Sequence, residues 1–278
     1  MRRHAAALPT IAGTAALLLT VNACGSSSSA SEGSGDKPVV VTSFYPLQFA
    51  TSQIAGGAVD VSVLTKPGAE PHELELGAQD IVNMTKARLV IYADGFQPAV
   101  DEATKQVEPS HLLDVAAAAD LSLEATEDGH EHAGESAAQH AEHNAHDDHA
   151  GNDPHFWLDP MRYAAVARTI GKRLAADDPA NAATYGKNTD AFVAKLTSLD
   201  RDYRAGLKQC TNKVIVTSHS AFGYLAQRYG LEQHGISGLS PDVEPSAAGL
   251  KQINDLVRSE GVTTVYQETL VEGRFAET

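Results

Sequence analysis

Basic residues are scarce: Lys and Arg together number 21 against 36 Asp and Glu, a net charge of −15. Neutralising phosphates needs clustered Lys and Arg, so nucleic acid is excluded as a partner class, and the negative field favours cations instead. Cysteine is nearly absent. Cys24 and Cys210 are the two in 278 residues, which excludes a disulfide framework. Cys210 is expected to be a buried small hydrophobe. Long hydrophobic runs are lacking too. Ala5 to Val21, rich in Ala and Leu, is too short and too weakly hydrophobic for a stable membrane span. What remains, 42% hydrophobic, is ample for one large or two medium domains.

The N-terminus has the form of a processing signal. Arg2 and Arg3 precede the apolar stretch, which ends in Val21-Asn22-Ala23-Cys24-Gly25. This end resembles a bacterial lipobox, with Cys24 as the lipidated residue. Residues 1–23 then read as a signal peptide, and the Ser/Gly-rich residues 24–36 as a flexible lipid-anchored tether. With Cys24 acylated, Cys210 has no intramolecular partner. The expected location is the extracytoplasmic face of the cell membrane, as a monomer.

From Lys37 the pattern changes. Residues 38–43, 59–64, 88–92 and 111–115 read as short apolar strands. Helices are expected over 44–54, closed by Gly56-Gly57, and over 78–85 and 99–106. Strands alternating with helices predict parallel sheets with βαβ crossovers. Glu124 to Asn152 breaks the pattern: Ala, Gly, His and acid, with no apolar face, expected to be disordered without metal. A helix follows over 160–176. A longer one is expected from about Pro179 to Leu207, with Tyr185, Phe192, Leu196, Leu199, Tyr203 and Leu207 on one face. At 1.5 Å per residue it spans about 40 Å, the length of a rigid connector. Strands at 213–218, 231–236 and 262–266, and helices at 221–229 and 247–259, restart the alternation, and Gly273 to Thr278 reads as the start of another helix. The fold expected is α/β: two (βα)-type lobes with parallel sheets, 37–178 and 209–278, joined by one long rigid helix over 179–208. The second lobe counts three strands against four and reads as incomplete.

Three histidines share a placement. His72 lies in Pro67-Gly68-Ala69-Glu70-Pro71-His72, His155 in Asp153-Pro154-His155-Phe156-Trp157-Leu158-Asp159-Pro160, and His219 in Ser218-His219-Ser220-Ala221-Phe222. Each follows a strand-like segment or a proline, where open α/β sheets place their ligand sites. Three converging imidazoles suit Zn²⁺, which takes neutral nitrogen ligands in tetrahedral geometry, and neighbouring prolines limit the entropy lost in ordering the site. Singly, each histidine reads as a capping or core residue. Their conjunction carries the expectation.

These blocks, with Gln267-Glu268-Thr269 and Phe275-Ala276-Glu277-Thr278, resemble the metal-specific solute-binding proteins of ABC uptake systems, within them the zinc-uptake (ZnuA-type) branch. The resemblance runs from about Val39 to the last residue. It implies two lobes, a stiff connecting helix and a metal in the cleft, with His72 and His155 from the N-terminal lobe and His219 from the C-terminal one. It also implies delivery of Zn²⁺ to a membrane permease with its cytoplasmic ATPase. The family's fourth, carboxylate ligand would match a position past Thr278. Glu268 is in the right lobe but does not match that position, so it is not a ligand candidate.

The insertion carries His130, His132, His140, His143, His146 and His149, half of all histidines, and no Lys or Arg occurs between Lys105 and Arg162. Imidazoles and carboxylates without cations make a weak multi-site zinc collector. Three alternatives stay open: a manganese or iron importer subunit, a zinc-buffering or adhesin-type surface lipoprotein, and a zinc hydrolase. Nothing supplies the His-Glu-x-x-His helix of a metalloprotease or an evident general base, so an enzyme is not expected.

Overall fold

The computed structural model describes residues 37–124, 151–241 and 243–268. Cys24, the six insertion histidines (130, 132, 140, 143, 146 and 149) and the helix expected from Gly273 lie outside the described residues. None of the described helices is long and apolar enough to cross a membrane.

The first sheet holds β1 (Val39–Thr42), β2 (Asp60–Val63), β3 (Leu89–Tyr92) and β4 (Leu112–Asp114), all parallel, in the order β2-β1-β3-β4. Its β-branched core strands are covered on both faces, as parallel sheets require. Val40, Leu89 and Ile91 face one core, with Phe44, Leu47, Ile54 and Ile170. Val41 and Val90 face the other, with Met84, Val100 and Val107. Helices α1 (Tyr45–Ala55), α2 (Ala78–Lys86) and α3 (Pro98–Thr104) make the crossovers, and a short α4 (Ala116–Ala119) follows β4. Gly56 ends α1 at φ 57°, its N–H donating to the Ser52 carbonyl. A Cβ there would lie 2.7 Å from Nδ2 of Asn188, so both conformation and space require glycine.

Residues 109–111, read partly as strand, form a 3₁₀ turn, because Pro109 fixes a helical φ and supplies no N–H to a ladder. The insertion closes on an isolated antiparallel bridge between Glu124 and Asn152. Beyond it, Asp159 caps α5 (Pro160–Asp177) by accepting the N–H groups of Met161 and Arg162.

The long helix α6 (Ala182–Leu207) begins three residues later than expected, since Pro179–Asn181 form a 3₁₀ turn. Its apolar face holds only in the first half. Tyr185, Phe192 and Leu196 are buried, whereas Leu199 and Tyr203 are 44% and 37% exposed. The reason is what lies beside each half. The first packs on α1 and α5, and the second has left that core, with Tyr203 stacked on Tyr229 of α7 (Gly223–Tyr229). Cys210 is exposed rather than buried, because it follows the end of α6 in a turn.

The second sheet is parallel, in the order β6-β5-β7, with β5 (Val214–Thr217), β6 (Glu232–Gly235) and β7 (Val265–Tyr266). Val216, Ile236 and Ile253 of α8 (Ala247–Ser259) form its small core.

The α5–α6 contact gives a test. A Cβ on Gly171 would sit 2.1 Å from Oγ1 of buried Thr189, whereas one on exposed Gly186 would meet nothing within 4 Å. Gly171→Ala should therefore cost about 1–3 kcal/mol by overpacking. Gly186→Ala should gain up to about 1 kcal/mol of helix propensity. Thermal unfolding of the two variants checks this, and equal melting temperatures would contradict the packing described.

Candidate metal centre

Each sheet reverses its winding direction beside its first strand, and both reversals open toward one cleft. In the first sheet the switch lies between β1 and β3, in the second between β5 and β7. The loop after β2 carries His72, and β5 runs directly into His219. His155 stands immediately before the 3₁₀ turn Phe156–Leu158 that leads into α5.

The three rings meet. Nε2 of His72 is 3.1 Å from Nε2 of His155, and one ligand atom from each of His72, His155 and His219 falls within 4.8 Å of the others. Ring centroids are 5.1 Å apart for 72–155, 5.2 Å for 155–219 and 6.0 Å for 72–219. Nitrogens around a tetrahedral Zn²⁺ at 2.0–2.1 Å stand about 3.3 Å apart. One edge of the triangle already has that length, so a shift of about 1.5 Å or less in the others completes it. The rings line a cavity of about 580 Å³ with Phe44, Trp157, Phe222 and Glu268.

Each imidazole is held from behind. The N–H of His72 donates to Oε1 of Glu70 at 3.0 Å, and its ring stands edge-on to Phe96 at 4.8 Å. Buried Gln97 fixes the same turn, donating through Nε2 to the Pro71 carbonyl at 2.9 Å and to Oγ1 of Thr65 at 3.0 Å. His155 is 2% exposed, and Oδ1 of Asp153 accepts both its backbone N–H and its Nδ1 hydrogen, each at 2.8 Å. Burial lowers the pKa of His155 and outweighs the opposing pull of Asp153, so the ring stays neutral and able to ligate further into acid than a free imidazole. Nδ1 of His219 bonds to Oε1 of Glu268. Burial pushes the Glu268 carboxyl up, but bonds from His219 and Ser218 and the charge of His219 hold it below the usual range.

The two sheets are tied together beside the site. Tyr224, on α7, donates its hydroxyl to the Asp153 carbonyl at 2.8 Å and lies under the Arg162 guanidinium at 4.4 Å. One turn further, Nε of Arg228 reaches Oδ1 of Asp159 at 3.3 Å and Oδ1 of Asp200, on α6, at 2.7 Å. Tyr224 and Arg228, four residues apart on one helical face, thus grip both ends of the segment that carries His155.

His72, His155 and His219 are therefore brought together. Sequence reasoning missed Asp153, Gln97, Tyr224 and the place of Glu268. Asp153, two residues before His155, carried a legible signal, an Asx side chain bonding two residues on. Gln97 and Tyr224 carried none, since their partners are distant in the chain.

The residues 40–278 match the family described as zinc-uptake complex component A, periplasmic, and the chain belongs to it. It is 37% identical over 268 residues to the high-affinity zinc uptake system protein ZnuA of Bacillus subtilis, covering 95% of this chain and 82% of that one. The zinc-binding protein AdcA of Streptococcus pyogenes is 36% identical over 246 residues, 87% of this chain, and the chain spans 48% of that protein's length. Among solved structures, the laminin-binding protein Lmb of Streptococcus agalactiae is described as having adhesin and metal-transporting activity. It superposes with a TM-score of 0.71 at 30% identity, over 87% of this chain and 84% of that one.

A site of three imidazoles that could hold one ion should not survive the loss of one of them. His155→Ala should weaken zinc binding by at least about 100-fold, or about 2.8 kcal/mol, measured by competition with a chromophoric chelator. Wild-type affinity in that variant would remove His155 from the site.

Proposed function

We propose that this chain captures Zn²⁺ outside the cytoplasmic membrane through His72, His155 and His219 and hands it to the permease of an ABC importer. The observation that carries the reading is the convergence of three imidazoles, one ligand nitrogen from each lying within 4.8 Å of the others. Hydrated Zn²⁺, drawn by the net charge of −15, exchanges waters for imidazoles as the rings close on it. Neutral nitrogen donors favour zinc over the harder, oxygen-preferring manganese. The apolar walls of Phe44, Phe96 and Trp157 exclude water and strengthen the ligation. With ligands supplied by both sheets, separating the lobes dismantles the site, which is how a tight binder releases its cargo. Holding the ion requires no chemistry on it.

The same proposal gives the chain its working layout. Residues 1–23 are removed, Cys24 carries the lipid, and 24–36 tether a monomer to the membrane. Lobes 37–178 and 209–278 flank a connector at 179–208. The histidines at 130, 132, 140, 143, 146 and 149 raise the local zinc concentration and pass ions to the cleft.

Removing residues 125–150, which spares the Glu124–Asn152 bridge, should lower zinc stoichiometry and leave the tight site intact. Isothermal titration distinguishes the two classes of site. Loss of tight binding in that variant would show that the insertion, rather than the cleft, holds the ion.

Protons compete with zinc for the nitrogen lone pairs, so affinity is highest above the imidazole range and lost as pH falls through it. The lowered pKa of His155 moves its own loss to lower pH without abolishing the competition. A fall of at least about 100-fold is expected between pH 7.5 and pH 5. Equal affinities at the two values would contradict ligation by imidazoles.

A further inference from the structure

In β5 and β7, Thr217 pairs with Tyr266. Two residues beyond the end of each strand stand His219 and Glu268. The register brings the ends of β5 and β7 together at the second switch point, and the imidazole and the carboxylate meet just beyond them. Their separation in sequence is 49 residues, and nothing local marks the pairing.

The contacts around the pair are specific. Oε1 of Glu268 accepts from Nδ1 of His219 and, at 2.9 Å, from the Ser218 hydroxyl. The same hydroxyl accepts the Glu268 backbone N–H at 3.4 Å, and the Ser218 N–H donates to the Tyr266 carbonyl at 2.8 Å. The His219 carbonyl is held in turn by Oγ1 of Thr217 at 2.7 Å and Nε2 of Gln233 at 3.2 Å. Backbone and ring of His219 are thus both fixed. An ionised carboxylate only accepts hydrogen bonds, so the hydrogen of a neutral His219 ring sits on Nδ1 and the lone pair on Nε2. That is the arrangement in which an imidazole ligates a metal through Nε2 while a carboxylate behind it sets the tautomer and raises its basicity. Asp153 stands in the same relation to His155. Each sheet of the cleft therefore backs one of its imidazoles with a carboxylate.

Resting on the reading of the cleft as a zinc site, we propose that Glu268 is a positioning residue: it holds His219 in the Nδ1–H tautomer with Nε2 turned toward the ion, and Ser218 braces it. Glu268 acts through His219 and is not itself a ligand.

The test uses the full chain and its E268A, E268Q and S218A variants. In the metal-free proteins near pH 8, long-range ¹⁵N–¹H correlation spectra report which ring nitrogen of His219 carries hydrogen. Zinc affinity is read by chelator competition and the zinc environment by X-ray absorption. Wild type should show the Nδ1–H form. E268A should lose that preference and bind zinc about 10–100-fold more weakly. E268Q, whose amide oxygen still accepts from Nδ1, should keep the tautomer and bind within about threefold of wild type, and S218A should fall between. A merely structural role would not move the tautomer in E268A or be rescued by glutamine. Unchanged tautomer and affinity in E268A would overturn the proposal. So would an E268Q variant as weak as E268A whose bound zinc has lost an oxygen neighbour, since Glu268 would then be a ligand. Wild-type protein that takes up no zinc would sink the functional reading, while the metal-free spectra would still decide the role of Glu268.

Discussion

Holding three imidazoles within a few ångströms of one another is the constraint around which this molecule is built. Unsupported rings would turn away toward solvent or toward protein acceptors. Here a carboxylate bonds two of the rings and the backbone of the third. Glu70 holds the His72 backbone, Asp153 holds His155 at both N–H groups, and Glu268 holds the ring of His219. The entropy of ordering the three rings is met largely during folding.

That arrangement depends on two sheets keeping their distance. Helix α6 supplies stiffness, but the closer tie is α7. Tyr224 and Arg228 engage Asp153 and Asp159, which bracket His155, and Arg228 also reaches Asp200 on the connector. Asp159 caps α5 as well, so one carboxylate joins helix nucleation, the link between sheets and the placement of a ligand. Removing Arg228 would take away the one cation that Asp159 and Asp200 share, leaving Asp159 with Arg162 and Asp200 with Arg204 and cutting the link between the sheets. Separating the two sheets would break these bonds.

Much of this was legible in the sequence, and the limits are physical. β-branched runs such as Val39-Val40-Val41 marked parallel strands because burial on both faces selects for them. The helix over 247–259 forms with the bounds expected, its N-terminus capped by Ser246, whose hydroxyl accepts the Gly249 N–H. The second half of α6 was misread, because periodicity records which side of a helix is apolar but not where the core beside it ends. Leu199 and Tyr203 keep the spacing yet stand outside the first core. The three histidines could be chosen because each sits at a strand end or a proline-bounded turn. Glu268 could not be placed from sequence alone. Its importance arises from the β5–β7 register, a pairing between residues 49 apart that no local pattern encodes.

The most direct test is a crystal structure of the full chain grown with zinc, with anomalous data collected on either side of the zinc edge. A single strong anomalous peak about 2.0–2.1 Å from one nitrogen each of His72, His155 and His219 is the predicted result. A peak elsewhere, or any of the three rings turned out of the cleft with zinc bound, would contradict it.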